Sequence, residues 1–514
     1  MPVFGDDEEA GRPPAHAGIR ETHVAVVVFL GEHAYKIKKA VSPGFLDFST
    51  AAARREACER ELVLNRRFAP DVYLGLGEFR FPGGEHPEPV VVMRRMPEDR
   101  RLSDLVRGGA EVGPSLRDVA RLLAIHHAQA HRGPEVDAQG SRAALSARWE
   151  ENFAQVCALT ADGGPGGDLA TGGVPEAREL VRRYLAGRGP LFDERIRRGR
   201  IVDGHGDLLA EDIFCLDDGP RVLDCLEFDD TLRFLDGLDD AACLAMDLEQ
   251  LGAAEEAASF LARYSEYSGD PAPPSLRHHY VAYRAFVRCK VALVRAGQGD
   301  AAAVTEARRL LTAALRHLRT SEVALVLVGG LPGSGKSTLA GALADRLGVT
   351  LLSSDRVRKE LAGIPPEQPA PAGYGQGLYR PEWTDRTYAA LLERARALLA
   401  AGETVVADAT WSDASNRDAA GDVARSTGSA LVALRCEAPA DTAAQRLATR
   451  GPGPSDAGAP VARAMAEAED PWPDAVAVDT GGDLEAAVRQ ALAAVRPHSP
   501  EPSTVFRRSY MEPG

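Results

Sequence analysis

Residues 330–337, GLPGSGKS, decide the fold of the second half of the chain. They match the pattern G-x-x-x-x-G-K-[ST], and the apolar run at residues 323–328 that precedes them predicts a buried strand. A helix is predicted to follow Lys336, over TLAGALADRL. In this strand–loop–helix arrangement, backbone N–H groups of the loop point at phosphate oxygens. We therefore expect a nucleotide-binding site here.

Each residue type in this loop has an expected role. Lys336 should reach the β- and γ-phosphates, Ser337 should ligate Mg²⁺, and the glycines should let the backbone close around the phosphates. The predicted nucleotide-binding set is Gly330, Gly333, Ser334, Gly335, Lys336, Ser337 and Thr338. The predicted cofactors are ATP and Mg²⁺.

From residue 323 onward, apolar runs alternate with helical patterns, which predicts a parallel α/β sheet wound on both faces. Residues 353–361, SSDRVRKEL, resemble the acceptor-binding corner of P-loop kinases such as polynucleotide kinase, zeta toxin and gluconate kinase. The resemblance implies that Asp355 is the general base and that Arg358 holds an anionic part of the acceptor. Asp408, at the end of another apolar run, is the candidate for the second Mg²⁺-supporting carboxylate.

Arg446 and Arg450 follow in a helical pattern, DTAAQRLATR. They look like lid arginines that reach the phosphates when a lid closes. Ordinary surface arginines on a helix would give the same pattern. We predict the first role for both residues.

A second motif lies upstream. Residues 205–228, HGDLLAEDIFCLDDGPRVLDCLEF, resemble the catalytic segment of the aminoglycoside phosphotransferase and choline kinase group of protein-kinase-like enzymes. The resemblance implies that Asp207 lies beside the attacking hydroxyl and that Asp212 and Asp224 hold Mg²⁺. The group usually has Asn at the position of Asp212, but a carboxylate is also a hard oxygen ligand for Mg²⁺.

The phosphate-binding lysine of such a site should lie on an early strand. Two β-rich runs before residue 42 predict a hairpin, and Lys36 and Lys38 share one face of its second strand because side chains alternate. We favour Lys36. Its ion-pair partner on the following helix is Glu61 or Glu59, with Glu61 preferred.

An acidic run follows the upstream motif. Its members are Glu227, Asp229, Asp230, Asp236, Asp239 and Asp240. They could attract a cationic substrate or form a solvated loop. The sequence does not separate these two interpretations.

The length of 514 residues predicts more than one domain. The predicted divisions are loosely ordered residues 1–18, an aminoglycoside phosphotransferase-like domain at 19–299, a helical connector at 300–320, a P-loop kinase domain at 321–496 and a flexible tail at 497–514. The formal charge of −15 opposes binding to nucleic acid. Seven cysteines without metal-binding spacing and the absence of a long apolar run favour a cytoplasmic protein with reduced thiols and no membrane role.

Together the two halves, from about residue 22 to about residue 480, resemble bacterial bifunctional proteins that join an aminoglycoside phosphotransferase-like kinase to a P-loop kinase. The resemblance implies an α+β bilobal protein-kinase-like fold followed by an α/β P-loop domain. It also implies phosphoryl transfer from ATP to the hydroxyl of a small molecule, such as a sugar or amino sugar.

Two alternatives stay open at this point. In one, the P-loop half phosphorylates the 5′-hydroxyl of a polynucleotide, although the acidic composition opposes this. In the other, the protein is a nucleotide-gated regulator in which one half is a pseudokinase, and Asp212 points to the upstream half. The oligomeric state is not predicted.

Overall fold

The computed structural model describes residues 18–21, 25–41, 48–80, 87–161, 164–365, 368, 375–449 and 458–495. The predicted loose ends lie outside these residues except for Gly18, and so does Arg450. Contacts divide the chain into two units. The first comprises the described residues up to Gly140 together with Gly199–Pro271, and the second comprises Ser141–Arg198 and the described residues from Ala272 onward.

The elements are numbered along the chain. The strands are β1 (Gly18–Glu21), β2 (Ala25–Leu30), β3 (His33–Lys38), β4 (Tyr73–Phe79), β5 (Glu88–Arg94), β6 (Ile201–Asp203), β7 (Ile213–Leu216), β8 (Gly219–Val222), β9 (Phe234–Asp236), β10 (Ala324–Gly329), β11 (Thr350–Ser353), β12 (Val405–Asp408), β13 (Ala430–Glu437) and β14 (Val476–Asp479). The helices are α1 (Ala51–Asn65), α2 (Leu102–Arg107), α3 (Gly113–Gln129), α4 (Pro134–Gln139), α5 (Arg142–Thr160), α6 (Gly167–Thr171), α7 (Gly173–Ala186), α8 (Gly189–Arg197), α9 (Gly237–Gln250), α10 (Ala254–Tyr267), α11 (Pro274–Gly297), α12 (Ala303–Thr320), α13 (Lys336–Leu347), α14 (Ser354–Leu361), α15 (Pro381–Ala400), α16 (Ala414–Ser426), α17 (Ala440–Thr449), α18 (Ala459–Glu467) and α19 (Leu484–Val495).

The first unit contains an antiparallel sheet with strand order β1-β2-β3-β5-β4. Helix α1 packs on this sheet, and its first turn is capped by the Thr50 hydroxyl, which accepts a hydrogen bond from the Ala53 N–H at 3.1 Å. Cys58, Val72 and Val91 are buried between helix and sheet. The short pairs β6–β9 and β7–β8 and helices α2, α3, α4, α9 and α10 complete the unit. This is the predicted α+β protein-kinase-like architecture.

The second unit contains a parallel sheet with strand order β11-β12-β10-β13-β14. All six residues of β10 are buried, because helices cover both faces of a doubly wound sheet. The parallel register aligns Asp408 with Val328 on one side and with Ser353 on the other. The carboxyl ends of these three strands therefore form one edge, as the predicted α/β P-loop fold requires.

Helices α5 to α8, α11 and α12 belong to the same unit as the parallel sheet. Helices α7 and α8 follow each other directly and are interrupted at Gly187 and Arg188. Gly187 approaches Thr427 so closely that a Cβ atom there would lie 1.7 Å from the Thr427 carbonyl oxygen. The Arg188 guanidinium donates a hydrogen bond to the same carbonyl at 2.5 Å. This contact fixes the break between α7 and α8 against the end of α16.

Helices in the described part of the chain are too short or too polar to cross a membrane. All seven cysteines are free thiols, and six of them are buried.

Two candidate active sites

The loop between β10 and α13 has the backbone shape that its glycines predict. Gly330, Gly333 and Gly335 have φ values of +136°, +87° and +86°, in the region that favours glycine. A Cβ atom at Gly330 would lie 2.7 Å from Ser334 Oγ, and one at Gly333 would lie 2.6 Å from the Ala443 carbonyl oxygen. Side chains at these positions would therefore fill or distort the phosphate cradle.

The functional side chains of the P-loop half meet at the carboxyl edge of the sheet. The Ser337 hydroxyl donates a hydrogen bond to the Asp408 carboxylate. Lys336 and Asp355 are close enough to shift the pKa of this carboxylate. Burial raises the pKa of Asp408, while Lys336 and the Ser337 hydrogen bond act in the opposite direction. The structure thus brings together four of the predicted residues, with half-buried Asp355 at the start of α14.

Arg446 and Thr480 support the phosphate loop from the other side. Arg446 Nη1 lies 3.1 Å from the position of a Cβ atom on Gly335, and its Nη2 donates to the Thr480 carbonyl at 2.7 Å. The Thr480 hydroxyl donates to the Ser334 carbonyl at 2.5 Å. Thr480 therefore links the phosphate loop to α17 at the end of β14. Its supporting role was not predicted from the sequence.

Arg358 is not free in this structure to hold an acceptor. Its guanidinium donates to the Leu378 carbonyl at 2.8 Å and to the Thr384 hydroxyl at 3.3 Å, and it stacks on the Tyr379 ring at 4.8 Å. These contacts tie α14 to the start of α15. The predicted role of Arg358 in acceptor binding stays a prediction.

A buried tryptophan shapes the end of β12. Trp411 has φ of +52°, its ring Nε1 donates to the Ala407 carbonyl at 3.1 Å, and its backbone N–H donates to the Tyr388 hydroxyl at 3.2 Å. Tyr388 also contacts the Thr410 hydroxyl at 3.1 Å. Trp411 therefore packs beneath the site and fixes the course of the chain after Asp408.

The residues of the P-loop half fit a nucleotide triphosphate with Mg²⁺. Ser334 Oγ, Asp408 Oδ1 and Arg446 Nη1 are buried polar atoms without a hydrogen-bond partner among the described residues. Two of these are groups that bind phosphate, and the carboxylate oxygen is a group that supports Mg²⁺. The backbone cradle at Gly330 and Gly333 lies beside them. Thr338 is exposed in the first turn of α13, next to the same cradle.

In the upstream half, Lys36 binds the carboxylates of Glu61 and Asp224, two of the residues predicted for this site. Its Nζ lies 2.8 Å from Glu61 Oε1 and 2.5 Å from Asp224 Oδ1. Burial lowers the pKa of Lys36, but Asp224 and Glu61 together raise it well above its ordinary value. Glu61, not Glu59, is the partner on α1, because Glu59 lies on another, exposed face of that helix. Lys38 also binds Glu61, so both lysines are engaged.

Asp207 and Asp224 of the upstream half both raise the pKa of Asp212, the third predicted aspartate. Burial, followed by the charges of Asp224, Glu211 and Asp207, raises the pKa of Asp212 well above its ordinary value. Among the described residues, no three His, Cys, Asp or Glu side chains form a ready metal cluster. Mg²⁺ in kinases usually takes one or two carboxylates and completes its shell with substrate phosphates and water. Asp212 and Asp224 fit that incomplete donor set.

Asp240 holds the loop that carries Asp207 and was not predicted to do so. Its buried carboxylate accepts hydrogen bonds from the backbone N–H groups of His205 at 2.7 Å and Gly206 at 3.0 Å, and it contacts His127 Nε2 at 3.1 Å. His205 donates from its own Nε2 to a backbone carbonyl at 3.0 Å, and burial lowers its pKa. Both residues thus orient the loop that carries Asp207.

Two side chains hold the segment around Asp224. Asn65 of α1 accepts a hydrogen bond from the Cys225 N–H at 2.8 Å and donates to the Glu61 carbonyl at 2.9 Å. The Tyr73 hydroxyl accepts from the Asp224 N–H at 3.2 Å. These contacts link the helix that carries Glu61 to the segment that carries Asp224. No sequence motif signalled either residue.

The acidic run after the upstream motif is largely internal. Glu227, Asp236, Asp239 and Asp240 are 8%, 3%, 2% and 0% exposed. The interpretation of the run as a solvated loop is therefore wrong for these four residues. Buried carboxylates are retained where hydrogen bonds or cations satisfy them, as at Asp240.

Comparisons with known proteins match one segment of the chain to a family model and nearly all of the chain to three relatives. A family model described as "AAA domain" matches residues 325–471. The chain is 45% identical over 473 residues to "Uncharacterized protein Rv2004c" and "Uncharacterized protein MT2060", both of Mycobacterium tuberculosis, and to "Uncharacterized protein Mb2027c" of Mycobacterium bovis. Each alignment covers 92% of this chain and 94% of the relative.

Solved structures resemble the two halves separately. A choline/ethanolamine kinase family protein from Mesorhizobium loti is 15% identical, covers 59% of this chain and 92% of its own, and has a TM-score of 0.36. A gluconokinase from Sinorhizobium meliloti is 24% identical, covers 34% and 91%, and has a TM-score of 0.24. The chain belongs to the family of these mycobacterial proteins.

Proposed function

We propose that the protein transfers the γ-phosphoryl group of ATP to the hydroxyl of a small molecule, such as a sugar or amino sugar, and that each half carries one such site. The observation that carries the proposal is the meeting of Lys336, Ser337, Asp408 and Asp355 at one edge of the parallel sheet. In open α/β sheets, ligands bind at this edge.

In the P-loop half, Asp355 accepts the proton of the acceptor hydroxyl. A bond forms between that oxygen and the γ-phosphorus, while the bond from the γ-phosphorus to the bridging oxygen breaks and ADP leaves. Lys336 and Arg446 hold the phosphates, and the backbone of residues 330–335 supplies further N–H donors. Mg²⁺, when bound, neutralises phosphate charge, with Ser337 and Asp408 as the groups that would hold or support it.

In the upstream half, Asp207 has the corresponding role toward the acceptor. Lys36 orients phosphates, Glu61 orients Lys36, and Asp212 and Asp224 are the groups that would hold Mg²⁺. The formal charge of −15 favours a small acceptor over a nucleic acid in both halves.

The test is ³¹P-detected transfer from ATP and Mg²⁺ to a panel of hydroxylated metabolites. Lys336→Ala and Asp355→Asn should abolish products of the P-loop half, and Asp207→Asn should abolish products of the upstream half. The exposed pair of Asp422 with Arg425 on α16 provides a control, since Asp422→Asn should leave transfer unchanged. Full activity in both Asp207→Asn and Asp355→Asn would refute the assignment of the bases.

A further inference from the structure

Two lysines share the buried carboxylate of Glu61. Lys36 Nζ lies 2.8 Å from Oε1, and Lys38 Nζ lies 2.8 Å from Oε2. The lysines are two residues apart on β3, so their side chains project from the same face. The Glu61 side chain is fully buried, and burial raises its pKa, but Lys36 and Lys38 together lower it to about 2. Each carboxylate oxygen therefore has a cation of its own.

The second partners of the two lysines differ in exposure. Lys36 also binds Asp224, whose side chain is 48% exposed. Lys38 binds Glu227 at 2.5 Å, and these side chains are 1% and 11% exposed. Lys36 thus faces the open side of the site, whereas Lys38 lies in the interior.

Lys36 and Asp224 have to take further partners if the upstream half works as proposed. Lys36 then shares its charge with phosphates while it stays paired with Glu61, and Asp224 shares its charge with Mg²⁺. Less of the Lys36 charge is then left to compensate the Glu61 carboxylate. A buried carboxylate without a partner is strongly destabilising, so a second cation is needed at Glu61.

The same interior pair also fixes the segment that carries Asp224. This aspartate has φ of +65°, a backbone conformation that needs support from its surroundings. Cys225 is held by Asn65, and Glu227, two residues further, is held by Lys38. The segment is therefore anchored on both β3 and α1.

We propose that Lys38, together with Glu227, is a positioning pair of the upstream site, which holds Glu61 and the Asp224 segment in place while Lys36 binds the nucleotide. This inference rests on the proposed function of the upstream half. It assigns Lys38 no contact with ATP.

The experiment measures the affinity of a fluorescent ATP analogue, with and without Mg²⁺, in a Lys336→Ala background that removes the main phosphate contact of the P-loop half. Lys38→Met, Glu227→Gln and the double variant are compared. Lys39→Met is the matched control, because Lys39 follows on the same stretch and pairs with exposed Glu21. We expect Lys38→Met to weaken Mg²⁺-dependent binding by at least about tenfold, and Lys39→Met to leave it unchanged.

The double variant separates positioning from stability alone. Removing both charges should restore most of the melting temperature that Lys38→Met loses, because no buried charge is left unpaired, but it should not restore the affinity. Recovery of both quantities, or equal affinity of Lys38→Met and Lys39→Met, would overturn the proposal. If Lys38→Met does not fold, Glu227→Gln, which keeps the side-chain shape, gives the same comparison.

The outcomes also distinguish this inference from the proposed function. If the background protein binds the analogue but transfers no phosphate, the proposed activity of the upstream half fails, while the affinities still decide the role of Lys38. If the background protein binds no nucleotide, the proposed activity of the upstream half and the proposed role of Lys38 are both wrong. Lys38 would then support a site that does not bind ATP.

Discussion

Replacing Gly333 with alanine should weaken nucleotide binding by the P-loop half without unfolding the protein. Gly333 has φ of +87°, and the new Cβ atom would lie 2.6 Å from the Ala443 carbonyl oxygen and 3.1 Å from Leu447 Cγ. Both contacts belong to α17, the helix that carries Arg446. The added methyl group therefore strains the phosphate loop and pushes α17 away from it.

The magnitude follows from two contributions. A left-handed backbone costs an L-residue roughly 1–2 kcal/mol, and overpacking by one methyl group costs about 1–3 kcal/mol. Because α17 has no fully buried residue, the free protein can relieve much of this strain by moving that helix. The nucleotide-bound form requires the loop and α17 in their original positions, so the strain should reappear when the nucleotide binds. It should reduce the binding free energy by about 2–4 kcal/mol, which lowers the affinity by about 30-fold to 700-fold.

The assay is a titration with a fluorescent ATP analogue and Mg²⁺ in a Lys36→Met background, so that the P-loop half dominates the signal. Gly341→Ala is the matched control, since Gly341 lies within α13 and nothing lies within 4 Å of its added Cβ. That variant should bind normally and melt slightly higher, because alanine is the better helix former. Equal affinity of Gly333→Ala and Gly341→Ala would refute the assignment of phosphate binding to this loop.

Asp240→Asn should lower turnover at the upstream site by about 30-fold or more, because the backbone N–H groups of His205 and Gly206 lose a charged acceptor. An unchanged kcat of the Asp240→Asn variant in a Lys336→Ala background would contradict this. Burial lowers the pKa of His279 to about 3, so the folded chain binds fewer protons than the unfolded chain below about pH 6.5, and stability is lost as the pH falls. His279→Gln should flatten this loss in thermal denaturation between about pH 7 and pH 5. Gly187→Ala should destabilise the protein in urea, because its Cβ would overlap the Thr427 carbonyl, whereas Gly189→Ala, with nothing within 4 Å, should not.

Elements that depend on a local sequence pattern could be predicted from the sequence alone. The order of strands and helices after β10 follows from apolar periodicity, and Asp355 and Asp408 were placed at one sheet edge because parallel strands end together. The structure pairs Lys36 with Glu61 and not with Glu59, two residues earlier on α1. The break between α7 and α8 at Gly187 could not be predicted in this way, since it is the contact with Thr427 that requires it.

The supporting residues could not be predicted, because their roles depend on contacts between distant parts of the chain. Asp240 follows the loop that it holds by more than thirty residues, and nothing in the acidic run separates it from half-buried Asp229 and Asp230. The choice between Lys36 and Lys38 was open for a different reason. Period-two alternation places both on one face, but only the positions of Asp224 and Glu227 show that one lysine faces the site and the other the interior.

Among the described residues, only Asp224 and Trp411 have a left-handed backbone without being glycine. Asp224 is a candidate Mg²⁺ ligand, and Trp411 lies three residues after Asp408. Such conformations cost about 1–3 kcal/mol each and persist only where the surroundings hold them. The Tyr73 hydroxyl binds the Asp224 N–H, and the Tyr388 hydroxyl binds the Trp411 N–H, so each strained residue is held by a tyrosine. The strain therefore lies beside a candidate carboxylate in each half, and both tyrosines that hold it are buried, so each strained residue is fixed by its surroundings and not by its own conformational preference.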